Sequence, residues 1–259
     1  MGDDVLLPLD ASKPNVARAY DYLLGGKDNF APDRELAARL IELCPVVAEG
    51  AKENRHFLIR AVDWVARQGI TQFIDVGSGL PTMTNTHEAA RAVHPGARVA
   101  YVDNDPVVIS HAQAMLTCGG IVAVPGDLRE PEDILASPSL TEVIDLREPV
   151  CLILCAVLHF IDAATARAVT ATFVRALPPG SYLIISVARG DGEIAGQFKQ
   201  TYTAGSLQNH SPEQVAEFFA GTEFVPPGLV EARMWPVTAA EPAKSTTAGQ
   251  LLAGVGRKP

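Results

Sequence analysis

Between Asn15 and Arg67 apolar side chains recur three and four residues apart, and from Thr71 onward that spacing gives way to short continuous runs of Val, Ile and Leu. The first spacing predicts helices over 15–24, 33–43 and 46–67, the last carrying Phe57, Leu58, Ile59, Val62, Trp64 and Val65 as a broad apolar stripe. The second predicts strands in "TQFIDVGSG" (71–79), "ARVAYVDND" (97–105), "GIVAVPGD" (120–127), "VCLILCAVLHF" (150–160) and "SYLIISVA" (181–188), each ended by Gly, Asp or Pro. Helical stretches at 84–93, 106–117, 131–136 and 163–176 separate them. Strand alternating with helix requires right-handed crossovers, hence a parallel sheet with helices on both faces. The pattern loosens at "ARGDGE" and resumes at "SPEQVAEFF", where Ser211 can cap, Pro212 takes the first helical position and Gln214 completes a capping box. Two late strands, about 223–237 and 250–257, flank a Pro/Ala/Thr loop and can close one sheet edge as an antiparallel pair. The expected architecture is one α/β domain: a mostly parallel seven-stranded core over 69–259, and an N-terminal helical cap over 1–68.

Composition narrows the function classes. At 47% hydrophobic and 20% charged residues the chain can bury a large core. Its net charge is −9, and no Lys/Arg run exceeds two residues, so the basic footprint of a duplex-binding surface is missing and no nucleic acid partner is expected. The longest apolar run, Val150 to Ile161, has 12 residues and includes His159, short of the roughly 20 needed to span a bilayer. The acidic start "MGDDVLLPLD" lacks the basic and apolar regions of a secretion signal, so a cytoplasmic protein without a membrane partner is expected. Cys44, Cys118, Cys151 and Cys155 form no CxxC pair. Cys151 and Cys155 share one face of a predicted strand and read as packed thiols, with no metal site expected.

Three carboxylates fall at the carboxyl ends of the first three strands: Asp75 before "VGSG", Asp103 in "YVDND" and Asp127 in "PGDL". Ligands of open parallel sheets sit over those ends, where strand order reverses. Gly77 and Gly79 permit a tight turn, and Asp103, 24 residues past Gly79, is placed to accept ribose hydroxyls. Each carboxylate could instead cap a helix, but three in step with three strands point to a nucleoside ligand. A dinucleotide turn would read GxGxxG; here the third position is Thr82, and Pro81 has no N–H to offer a pyrophosphate. S-adenosylmethionine carries ribose and adenine without phosphate, and its sulfonium suits an acidic lining. Asp127 could accept the adenine amino group, with Asp75 and the glycine turn at the methionine end.

The order "DVGSG", "VDNDP", "GDLRE", "CAVLHFI" resembles the successive motifs of class I S-adenosylmethionine-dependent methyltransferases. "RAYDYLLGGKDNF", "ENRHFLIRAV", "GSGLPT", "NTHEAAR" and "LILCAVLHFI" are similar to one family among them, S-adenosyl methyltransferases of unestablished substrate once classed as a domain of unknown function. The resemblance spans about Asn15 to Arg257 and implies the Rossmann-like class I fold and S-adenosylmethionine as cofactor. It also implies Asp75, Gly77 and Gly79 at the methionine end, Asp103 and Asn104 at the ribose, Asp127 and Leu128 at the adenine, and Ala156 and Val157 facing the methyl group. The fourth strand ends "CAVLHF", not the Asn/Asp-Pro-Pro-aromatic of many amino-directed nucleic acid methyltransferases, which favours a small-molecule acceptor. A cofactor-binding protein without catalysis and a nucleotide-dependent oxidoreductase are the other readings such a sheet allows.

The stretch 15–30 is expected to cover the strand ends as a lid, Gly25-Gly26 turning the chain so that Tyr20, Tyr22, Lys27 and Asn29 face cofactor or acceptor. The competing reading is a helix C-cap followed by a solvated turn. Arg18 and Asn54-Arg55-His56 are weaker candidates for the same mouth. His159, His56 and His87 are the histidines in reach of base chemistry, and His159 reads more readily as a structural residue holding its loop.

Overall fold

In the computed structural model, which describes residues 10–81, 84–115, 119–189, 192–236 and 251–259, five short apolar runs form the parallel centre of one sheet. They are β1 (Gln72–Val76), β2 (Arg98–Asp103), β3 (Ile121–Pro125), β4 (Cys151–Cys155) and β5 (Tyr182–Ala188). Most of their residues are buried whichever face they point to, which is why they read as continuous rather than alternating runs. The tail adds β6 (Glu223–Phe224), β7 (Val230–Glu231) and β8 (Leu251–Arg257). Strand order is β3-β2-β1-β4-β5-β8-β6, with β7 also pairing β8, and β8 runs antiparallel to β5. The order reverses between β1 and β4.

The sheet has eight strands where seven were expected. The run 223–237 does not continue as one strand: Pro226, Pro227 and Gly228 interrupt it, and the pieces on either side pair β8 separately. Its last part turns at Ala232–Met234 and inserts Trp235, fully buried between Phe57 and Trp64. The expected Pro/Ala/Thr loop lies outside the described residues, as do Thr82, Cys118 and the end of the helix expected to reach 117. β4 also stops earlier than its apolar run, because Ala156 takes φ 56° and Leu158–Phe160 form a single 3-10 turn over the end of the sheet.

Helices cover both faces. On one side α3 (Val47–Arg67) and α4 (Thr86–Val93) pack on Phe73, Val99, Tyr101, Ile153 and Ile184. On the other, α6 (Pro131–Ala136), α7 (Pro138–Val143), α8 (Ala163–Ala176) and α10 (Pro212–Glu217) pack on Ile74, Val102, Leu152 and Ile185. α5 (Pro106–Met115) follows β2. The α10 capping box forms as its sequence predicts, Gln214 N–H donating to Ser211 Oγ and Ser211 N–H to Gln214 Oε1. α3 is thus part of the sheet's own core, and the segment that stands over the strand ends is shorter: α1 (Val16–Leu24) with α2 (Ala31–Leu43). Among the described residues no helix is long and apolar enough to cross a membrane.

The glycine pair and polar triplet after α1 tie that segment to itself. Gly25, at φ 84°, caps α1, and Gly26 N–H donates to the Asp21 carbonyl. The reversal lets Asp28 N–H and the Asn29 amide both donate to the buried Asp21 carboxylate, at 3.0 and 2.8 Å. A second buried carboxylate, Asp33, accepts from Asn15 N–H, Phe30 N–H and Arg18 Nε, each at 2.8 Å. Arg18 further donates to the Lys13 carbonyl and stands 5.2 Å over the Phe30 ring. The conspicuous stretch 18–30 is therefore a hydrogen-bonded lock between α1 and α2.

Candidate active site

A cavity of about 840 Å³ lies over the carboxyl ends of β1, β2, β3 and β4, where strand order reverses. That is in the upper part of the roughly 300–1,000 Å³ range of ligand pockets. Gly77 and Gly79 line it after β1, at φ 70° and 64°, a backbone region that L side chains rarely adopt. Gly77 is further constrained: a Cβ there would stand 2.2 Å from Val157 Cγ1. This close approach packs the β1 turn against the residue after Ala156, so both turns line one wall.

The carboxylates are brought together as expected. Asp103 accepts Gly79 N–H on Oδ2 and Asp105 N–H on Oδ1, both at 3.0 Å, so the ribose-facing candidate also pins the glycine turn. Burial pushes its pKa above the ordinary carboxylate range, as it does for Asp75, whose Oδ2 accepts from Thr86 Oγ1 at 2.6 Å. Asp127 differs. Arg129 donates to its two oxygens, through Nε at 2.9 Å and Nη2 at 2.5 Å, and this pairing holds its pKa at about 2. Asn104 Nδ2 reaches Asp127 Oδ2 at 3.5 Å. Asp127, Leu128, Asn104, Ala156 and Val157 all line the cavity.

α1 forms one wall with Val16, Ala19, Tyr20 and Leu23, and Asn15 joins α1 to the β2 end by donating from Nδ2 to Asp105 Oδ2. Tyr22 and Asn29, expected at the cofactor, are not in that wall. Tyr22 lies two helical residues, about 200°, from Tyr20 and packs with the cluster of Leu23, Leu24 and Ala37. Asn29 is spent on Asp21 and the Gly26 carbonyl, and Lys27 is exposed. Behind Tyr20 a polar chain crosses the site. Asn54 Nδ2 donates to Tyr20 Oη, which donates to the Ala51 carbonyl; Ser186 Oγ donates to Asn54 Oδ1 and accepts Ala156 N–H. Tyr20, pushed by burial to about 12, stays a neutral phenol.

The opposite wall carried no periodic signal. α9 (Gly192–Thr201) and the loop after it bring Phe198, Tyr202, Leu207 and Gln208 to the cavity, and Phe198 and Tyr202 stack at 17°. They meet the first wall directly, Ala19, Leu36 and Leu40 packing with Phe198, Tyr202 and Ala204. Aromatic residues four apart, "FKQTY", were the available clue.

His159 lines the cavity but accepts Ala188 N–H on Nδ1 at 3.3 Å, and burial lowers its pKa to about 4. Its one proton sits on Nε2, so it offers a hydrogen-bond donor rather than a base. His87 pairs with Tyr101 Oη and His56 is exposed on α3. Cys155 faces the cavity with its thiol pushed by burial to about 12, and burial inside the sheet raises Cys151 as well, so both are inert.

The profile of a family described as S-adenosyl methyltransferase matches residues 5–259. A crystal structure of a candidate methyltransferase from Thermobifida fusca is 38% identical, with a TM-score of 0.90 over 96% of each chain. A DUF574 family protein from Streptomyces avermitilis is 34% identical, with a TM-score of 0.89 over 96% of this chain and 99% of that one. Human N-acetylserotonin methyltransferase in complex with S-adenosylmethionine is 13% identical, with a TM-score of 0.51 over 95% of this chain and 63% of that one, a likeness of fold alone. No curated protein matches the chain.

Proposed function

The chain belongs to the S-adenosyl methyltransferase family and is an S-adenosylmethionine-dependent methyltransferase; from that premise we propose that its acceptor is a small molecule, received in the same cavity as the cofactor. Residues of this chain fit the cofactor. Two left-handed glycines leave the β1 turn bare, buried Asp103 carries acceptor oxygens beside it, and Arg55, which lines the same cavity, has a buried Nε with no partner among the described residues. Asp103 and Asn104 would hold the ribose, Asp127 and Leu128 the adenine, Asp75 with Gly77 and Gly79 the methionine end, with Ala156 and Val157 beside the transferable methyl. When bound, the cofactor supplies an electrophilic methyl group on a sulfonium.

The observation that carries the small-molecule reading is the arch of helices over the strand ends. Walls from α1, α2 and α9 meet through apolar contacts, and the space beneath them is about 840 Å³. Under such a cover the chain's own residues bind, orient and exclude water, which is most of what a displacement at a methyl group requires. Tyr20, held by Asn54 and Ala51, supplies a fixed polar edge to the acceptor half, and residues 15–43 act as cap. The net charge of −9 agrees with an acceptor other than nucleic acid.

Incubation with methyl-labelled cofactor and a cell extract split into dialysable, protein and nucleic acid fractions tests this. Label is expected in a dialysable product that chromatography separates from the cofactor and that does not form without the protein; incorporation into protein or nucleic acid instead would overturn the small-molecule assignment.

A further inference from the structure

Three aromatic side chains of similar tilt line the cavity on the side of β4 and α9. Phe160 ends the 3-10 turn that follows Ala156 and Val157, Phe198 lies on α9, and Tyr202 directly follows that helix. The Phe160 and Tyr202 rings stand 5.9 Å apart at 32°, and the Tyr202 and Phe198 rings 6.2 Å apart at 17°. Each is only half-buried, and aromatic surface left open inside a cavity marks where a ligand supplies the packing. Phe160 is fixed by the loop after α9: a Cβ on Gly205 would stand 3.5 Å from its Cδ1. The proposed adenine position does not claim these rings. It lies at the end of β3, with β2 and β1 between that strand and β4. The polar groups on this side are neutral. Tyr20 and Tyr202 are phenols pushed up by burial, Tyr202 senses Tyr20, and His159 carries no charge. Of the two cations nearby in the chain that also line the cavity, Lys199 is exposed and Arg189 has its charge felt at Glu213.

We infer that the methyl acceptor is an uncharged, planar aromatic molecule, received with its ring system against Phe160, Phe198 and Tyr202 and a polar substituent at the Tyr202 hydroxyl. This rests on the reading of the strand-end cavity as the site of methyl transfer to a small molecule, and names the class of that molecule. The three rings run from the turn that carries Ala156 and Val157 outward to α9, so an acceptor lying along them has one edge toward the transferable methyl. A flat ring system meets such rings over its whole face, whereas a saturated one of the same size is puckered and touches them at a few hydrogens. A neutral phenol in a buried setting selects a neutral hydrogen-bonding group over a charged one, whose desolvation it does not offset. Tyr202 therefore sets specificity twice, through its ring and through its hydroxyl.

Equilibrium dialysis of the full chain, saturated with S-adenosylhomocysteine, against 2-naphthol and decahydro-2-naphthol tests this. The two share a carbon skeleton and a hydroxyl, and only the first is flat. The unsubstituted protein is expected to bind 2-naphthol about tenfold more tightly, against the order of their hydrophobicity, and this comparison needs no variant to fold. Phe198→Leu, which keeps an apolar side chain in the wall, is expected to cut the preference to about twofold, and titration of S-adenosylhomocysteine into the same variant separates a lost ring from a lost cavity. Equal affinity for the two probes, or binding of neither while S-adenosylhomocysteine binds, would overturn the aromatic class and leave the small-molecule reading standing. In the extract assay, a labelled dialysable product without aromatic absorbance would overturn it in the same way, and label on protein or nucleic acid would overturn both.

Discussion

Gly77→Ala is expected to cost roughly 2–5 kcal/mol of stability and to lower affinity for S-adenosylhomocysteine at least tenfold. Two independent costs add. The φ of 70° strains any L side chain by about 1–2 kcal/mol, and a Cβ 2.2 Å from Val157 Cγ1 and 3.2 Å from Val157 Cβ overpacks the wall by a further 1–3 kcal/mol or so. Because Val157 Cβ is also close, rotating the valine does not clear the contact, and the β1 turn has to shift. That turn carries Gly79 N–H, the partner of Asp103, so the stability loss and the binding loss arise from one displacement. Thermal unfolding and calorimetry on the variant check both; wild-type melting and affinity would mean that the two turns are not packed as described.

The larger effect on stability is expected from Asp33→Ala, about 3–5 kcal/mol, because it strands a buried guanidinium. Arg18 and Asp33 have side chains 4% and 0% exposed and meet at 2.8 Å. Removing the carboxylate also leaves Asn15 and Phe30 N–H groups without their acceptor. Loosening of α1 would then carry Asn15 away from Asp105 and Tyr20 away from Asn54, so the methyltransferase should lose its cap as well as stability. The double variant Arg18→Met, Asp33→Leu is expected to regain part of the loss, since the stranded charge goes while the two N–H groups stay unmet. Urea unfolding of the single and double variants decides it; a single variant within about 1 kcal/mol of wild type would show that the pair does not hold the cap.

The sheet and the acidic trio were legible because each depends on few residues at fixed period. Parallel strands buried on both faces announce themselves as apolar runs, and the ligand side of such a sheet follows from topology, which placed Asp75, Asp103 and Asp127 together before any contact was known. The cap was legible as a segment but not in its side chains. The turn 25–29 reads as ligand-facing polarity, whereas its donors converge on Asp21, a buried acceptor that nothing in the local spacing reveals. Tyr22 was misplaced because helix phase matters: Val16, Ala19, Tyr20 and Leu23 share a face and Tyr22 does not. The wall from α9 escaped because glycines break its pattern, and it packs against α1 and α2 through tertiary contacts without local signal. Arg55 stood in the sequence only as a weaker candidate among the polar residues of a helix; its burial and its unmet Nε distinguish it.

In the proposed site S-adenosylmethionine is held in the strand-end cavity through Asp103. Calorimetric titration of S-adenosylhomocysteine into the protein and into Asp103→Ala tests it most directly. Micromolar binding to the protein is expected, with a loss of about 100-fold or more in the variant, the worth of two charge-assisted hydrogen bonds. Unchanged affinity in Asp103→Ala, or no binding to the unsubstituted protein at millimolar ligand, would contradict it.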